Sequence, residues 1–220
     1  MSAHQLIQLF MEQMRGTNLI GWIAVIMSIA EVLLARINNV WLYPTGIIGI
    51  VLGIYQLMEV NLYGESLLSI YYLVMSFYGW YYWIKKKDEP PVKVTWSTPV
   101  EWSVTIAITF AGWLLLYLIL NHGLVFWKFN FPPSTVPIWD AFVSSSAWAG
   151  MWLLARRKIE NWLLLNLSNI FAVPLLFYKH LPLFGFLTIF LFIIGIWGFI
   201  DWMRIYNREK TTENLVSQTP

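Results

Sequence analysis

Trp162, Asn166 and Asn169 are spaced i, i+4, i+7, which puts them on one face of a helix. Earlier in the chain, Ser145, Trp148 and Trp152 form a second stripe at i, i+3, i+7. Both stripes lie inside strongly apolar runs. An unpaired amide is costly in hydrocarbon, so the asparagines must face protein, water or a ligand. Indole faces beside amides and hydroxyls suit a flat ring carrying a polyol: the ring stacks on tryptophan and the amides bond the hydroxyls. A cationic ring is drawn further to the indole faces. Ser and Asn also cross-bond neighbouring helices in membrane bundles, and Ser144 and Ser146 suit that role more. Other chemistry lacks its residues. The chain has no cysteine, its three histidines (His4, His122, His180) are scattered, and no Gly-x-x-x-x-Gly-Lys-Ser/Thr cradle is present. The expectation is therefore a non-enzyme with no cofactor and no metal.

The elements that must carry these stripes follow from composition. Of 220 residues, 58% are hydrophobic and only 12% charged, about half the charge that soluble domains use to cover a solvated surface. Spans of about 20 residues fit seven times, over 19–37, 41–58, 62–84, 100–121, 137–155, 160–178 and 182–203. Before them, Leu6, Phe10, Met14 and Ile7, Met11 share one face of an amphipathic segment expected to lie in the membrane interface, with an oligomer contact as the alternative. Lys and Arg divide unequally between the two sides of a seven-span chain. Arg15, Lys128 and Lys179 fall on one; Arg36, Lys85–Lys87, Lys93, Arg156–Lys158, Arg204, Arg208 and Lys210 fall on the other. The positive-inside rule then puts the amino terminus outside and the carboxyl terminus in the cytoplasm. Basic residues that follow sidedness in this way do not mark a nucleic-acid surface.

The chain also repeats. LLARINNVW (33–41) resembles LLARRKIENW (153–162), NLYGE (61–65) resembles PLFGF (182–186), and GWYYW (79–83) resembles GFIDW (198–202), in the same order at spacings of 119 to 121 residues. Two triple-helix units in parallel orientation need one inverting span between them, and the fourth span fits that role. The fold class expected is an all-α membrane protein with two parallel triple-helix bundles and an inversion linker helix (3+1+3), similar to the sugar-transporting SWEET fold. The divisions are an interfacial segment 1–18, a first bundle 19–84, a basic loop and linker helix 85–136, a second bundle 137–203 and a tail 204–220. In parallel-repeat transporters the substrate lies between the halves near the midplane. The polar residues at that depth are Ser145 and Trp148, Asn166 and Asn169, and Tyr72. Gln56 lies toward the outer end of the second span, as vestibule, gate or interface. Glu31 is the one acid inside a span, little more than a turn from its cytoplasmic end, where it can snorkel or pair with a base. Asp140 is placed to cap the fifth span, and Gly46, Gly49 and Gly53 to let helices pack closely.

The stretches WLYPTGIIGIVLGIYQ (41–56), NLYGESLLSIYY (61–72), WLLARRKIENWLLLNLSN (152–169) and GIWGFIDW (195–202) resemble the bacterial nicotinamide riboside transporters of the PnuC family. The resemblance implies facilitated diffusion of nicotinamide riboside across a bacterial inner membrane, made one-way by cytosolic phosphorylation. It carries Gln56, Tyr72, Asn166 and Asn169 over as substrate-binding positions, while Ser145 and Trp148 rest on depth alone. The partners implied are the small-molecule substrate and the lipid bilayer, and a homo-oligomer is compatible with this reading. A transporter of another vitamin such as thiamine, and a non-transporting heptahelical membrane protein, are the alternatives.

Overall fold

In hydrocarbon the backbone N–H and C=O groups have only one another to bond, so apolar runs of span length become helices. The computed structural model describes residues 3–59, 63–85, 93–126, 129–131 and 133–216. Among them are eight helices: α1 (Ala3–Gly16), α2 (Leu19–Arg36), α3 (Leu42–Glu59), α4 (Tyr63–Lys85), α5 (Pro99–His122), α6 (Pro137–Ala155), α7 (Asn161–Tyr178) and α8 (Pro182–Val216). Helices α2 to α8 cover the seven expected segments almost residue for residue, except that α8 continues to Val216. Four of them, α2, α5, α7 and α8, are long and apolar enough to cross a membrane. The protein is thus helical and multi-pass. The loop expected between α5 and α6 holds a short antiparallel hairpin, β1 (Leu124–Phe126) with β2 (Phe129–Phe131), in a stretch of aromatic and β-branched residues that favour extended backbone. Lys86, Lys87, Lys128, Asn61 and Leu62, used above for the charge count and the repeat, lie outside the described residues.

Six helices each pack against two others in the cyclic order α2, α3, α4, α6, α7, α8, while α5 lies against α6. The two junctions between the halves, α4 with α6 and α8 with α2, are built alike. The Trp83 indole donates to the Ala155 carbonyl at 3.1 Å, and the Trp202 indole donates to the Ala35 carbonyl at 2.9 Å. Each acceptor belongs to the last turn of a helix, and the Ala35 carbonyl also accepts from the Asn38 amide at 2.9 Å. Each donor also meets an aromatic ring of its own half edge-on: Trp83 against Tyr43 at 5.1 Å, and Trp202 against Trp162 at 5.8 Å. Glycines make the room, since a Cβ on Gly79 would collide with Tyr43 and one on Gly198 with Trp162. The repeat match set Trp41 against Trp162. In the structure the two turns leading into α3 and α7 are equally long, five residues each (37–41 and 156–160), so Tyr43 takes that place and Trp41 is 64% exposed.

The basic residues next to these junctions continue the parallel. Arg36 reaches Asp201 at 2.5 Å and lies over the Trp197 ring at 5.2 Å. Arg156 lies over the Tyr82 ring at 5.0 Å and donates to the Tyr78 hydroxyl at 3.2 Å. Helices α2, α6 and α7 all stop in the same way, with Asn38, Arg157 and His180 in the left-handed region. The next amide in each bonds back across the turn: Asn39 to Leu34, Lys158 to Leu153 and Leu181 to Leu176, at 2.8–2.9 Å. At the opposite end α1 folds back on the chain, Gln13 donating to the His180 carbonyl at 2.8 Å and Phe10 meeting Phe186 edge-on at 5.3 Å. Part of its apolar face is therefore used within the chain, while Ile7 and Met11 stay exposed. Asp140 does not cap α6. It sits a turn inside the helix and binds Lys179 at 2.6 Å instead.

Trp202→Phe keeps a ring in place but removes the N–H, and should cost about 1 kcal/mol. Trp83→Phe should do the same, and the pair should add, since the bonds are separate. Thermal unfolding in detergent checks this; unchanged midpoints would leave packing alone as the source of the junctions' stability.

Candidate functional site

Between α2, α6, α7 and α8 lies a cavity of about 160 Å³, far more than the 10–15 Å³ or so that one buried water needs. Each helix presents a spaced face to it. Helix α7 gives Trp162, Asn166 and Asn169 with Leu165 and Ser168; α6 gives Ala147, Met151 and Leu154; α8 gives Leu191 and Gly195; α2 gives Glu31, Val32 and Ala35. The wall is apolar apart from two amides, a hydroxyl, a carboxylate and the edge of one indole.

The anchoring of α7 sets the direction of its stripe. The Arg156–Lys158 turn is pinned by Glu101 at the start of α5, which binds Lys158 at 2.9 Å and Arg156 at 3.5 Å. Glu101 is held in turn by a capping box with Thr98. The turn also forms a bridge with the strand-like residue Thr95, whose hydroxyl accepts from Lys158 at 2.9 Å. Arg157 lies over the Trp83 ring at 3.8 Å. At the start of α7, Trp162 is held between Gly198 and Trp202, with its indole N–H lacking a hydrogen-bond partner. Asn166 packs against Gly195, where any Cβ would collide with the amide, and its Oδ1 is likewise buried without a partner. Ser168 donates to the Val143 carbonyl at 2.8 Å, which fixes α7 against α6. Two polar atoms beside the cavity, Trp162 Nε1 and Asn166 Oδ1, are thus buried by packing without protein partners.

Of the sequence candidates, Asn166 and Asn169 stand together at the cavity. The others are placed elsewhere. Gln56 donates to the Asn18 Oδ1 at 2.5 Å, at the start of α2. Ser145 is fully buried and donates to the Phe142 carbonyl at 3.2 Å. With Trp148 it faces Gly112 of α5. Trp148 stacks on Tyr71 of α4, centroids 4.5 Å apart, and its carbonyl accepts from the Tyr71 hydroxyl at 3.1 Å. Tyr72 packs against the buried apolar cluster that includes Trp83 and Met75. Trp162 and Glu31 complete the cavity without being among the site candidates. The i, i+4 spacing to Asn166 marked Trp162; nothing in the sequence marked the direction of Glu31. Glu31 neither snorkels nor pairs: among the described residues its carboxylate has no hydrogen bond or ion pair, and it lies over Gly46. Gly49 packs closely on Ser28 of α2, while Gly53 faces open space.

A family model for the nicotinamide mononucleotide transporter matches residues 18–204. The chain belongs to this family. Among its relatives, the nicotinamide riboside transporters PnuC of Escherichia coli (strain K12) and Shigella flexneri are each 24% identical over 175 residues, 70% of this chain and 73% of theirs. The crystal structure of the vitamin B3 transporter PnuC shares the fold, with a TM-score of 0.67 over 94% of each chain at 20% identity. Family membership and apolar helices together make this a multi-pass transport protein of the membrane.

The Glu101–Lys158 pair is about nine-tenths buried on both sides, so Glu101→Gln should cost about 3 kcal/mol by leaving an unpaired buried ammonium. Adding Lys158→Met should recover part of that. Melting curves in detergent test both; a Glu101→Gln protein as stable as the parent would show the pair to be solvated.

Proposed function

We propose that the chain is a uniporter for nicotinamide riboside, which enters the cytoplasm by facilitated diffusion through alternating access and is trapped there by phosphorylation. The observation that carries this is the cavity between the halves, where an indole edge, two amides and a carboxylate converge at one end of the α7 stripe. Trp162 would meet the nicotinamide ring, and Asn166 and Asn169 the carboxamide and the ribose hydroxyls. The relatives' names support the substrate; the cyclic packing of six helices supports a 3+1+3 arrangement with α2–α4 and α6–α8 as the two units and α5 as the inversion linker. Tyr72, Trp148 and Ser145 are best placed to act through packing as the units move, and Gln56 at the outer entrance. Rocking of the units about the two tryptophan junctions would open the cavity to either side.

Orientation belongs to the same proposal. Arg36, Arg156, Arg157, Lys158 and Arg204 gather at the junction end, which we place in the cytoplasm of the bacterial cell, with α1 and the α7–α8 turn outside. No coupling ion or energy source is required, because the transported species is consumed on arrival.

Calorimetric titration of the detergent-purified protein with nicotinamide riboside should give saturable binding at one site, and thiamine and a simple sugar should not compete. Asn169→Leu and Asn166→Leu should each weaken binding about tenfold or more, the loss expected when a bonded polar group finds no partner, with melting temperatures little changed. Binding of thiamine alone would move the chain to a sister specificity. Riboside affinity unchanged in both variants would remove the asparagines from the site.

A further inference from the structure

We infer that Glu31 is the counter-charge for a cationic ring, and so makes the cavity selective for charge as well as shape. The inference rests on the riboside reading above, since an oxidised nicotinamide joined to ribose carries its positive charge in the ring. Glu31 lines the cavity from α2, as Trp162, Asn166 and Asn169 do from α7. Space for it is made by Gly46 of α3: a Cβ there would lie 2.5 Å from the Glu31 carboxyl carbon. A carboxylate in hydrocarbon is costly without a positive partner, and the cations nearby are engaged elsewhere. Arg36 is bound to Asp201 and stacked on Trp197. Arg156 and Lys158 share Glu101, and Arg157 lies over Trp83. Among the described residues no Lys, Arg or His lines the cavity.

A cavity with one acid and, among the described residues, no base attracts a pyridinium by direct charge. The same field repels a phosphate. Of the two ligand types named among the relatives, mononucleotide and riboside, the cavity wall is complementary to the second.

The test uses the reduced riboside, whose 1,4-dihydropyridine ring has nearly the same shape and no charge. Titrated into the full-length protein in detergent, the oxidised form should bind about tenfold or more tightly than the reduced one. Glu31→Gln should bring that ratio close to one, chiefly by weakening the oxidised form, whereas Glu31→Asp should keep part of the preference. A Glu31→Gln protein that melts normally and retains the full ratio would overturn the inference. So would a parent protein that binds both rings equally, a result that needs no variant at all. A parent that binds neither ring would instead defeat the riboside reading on which the inference stands.

Discussion

The structure depends on two indole N–H groups, each donated across the boundary between the halves to a carbonyl that ends a helix. Trp83 reaches Ala155 and Trp202 reaches Ala35, so each half caps the other. Within a membrane no hydrophobic force between helices holds them together. One hydrogen bond at each boundary ties α2 to α8 and α6 to α4. The glycines at 79 and 198, the aromatic rings of Tyr43 and Trp162, and the arginines at 36 and 156 are arranged around that pair of bonds.

Similar joints do not make equivalent halves. Counting from the correspondence of Tyr43 with Trp162, Asn166 and Asn169 fall opposite Ile47 and Ile50 of α3. The polar wall of the cavity is therefore built from α7, with Glu31 supplied by α2 alone. Asp201, which holds Arg36, falls opposite Tyr82, which holds Arg156 through its ring face. The two sets of helices therefore share a scaffold but not the polar residues that line the cavity.

Much of the scaffold was legible in the sequence, because span-length apolar runs have few outcomes: the helix boundaries, the Gly-x-x-x-Trp match and the α7 stripe all follow from periodicity. Rotation about a helix axis was the missing quantity. Depth alone put Ser145 and Trp148 level with Asn169, but successive residues turn by about 100°, and the inward face of α6 is that of Ala147, Met151 and Leu154. The neighbouring stripe is taken by α5 and by Tyr71 of α4. Glu31 was obscured for a similar reason. Its nearness to a helix end suggested escape toward water, whereas the niche over Gly46 that holds it inward comes from a different helix. Gln56 shows the converse, a polar residue in a family-like stretch that is tied to the cap of α2.

The measurement that bears most directly on this account is a structure of the protein at saturating nicotinamide riboside. The ring should appear against Trp162, with the carboxamide and ribose within hydrogen-bonding distance of Asn166 and Asn169, in the space between α2, α6, α7 and α8. Ligand density at another place in the protein, or an empty cavity in a sample shown to bind the riboside, would contradict it.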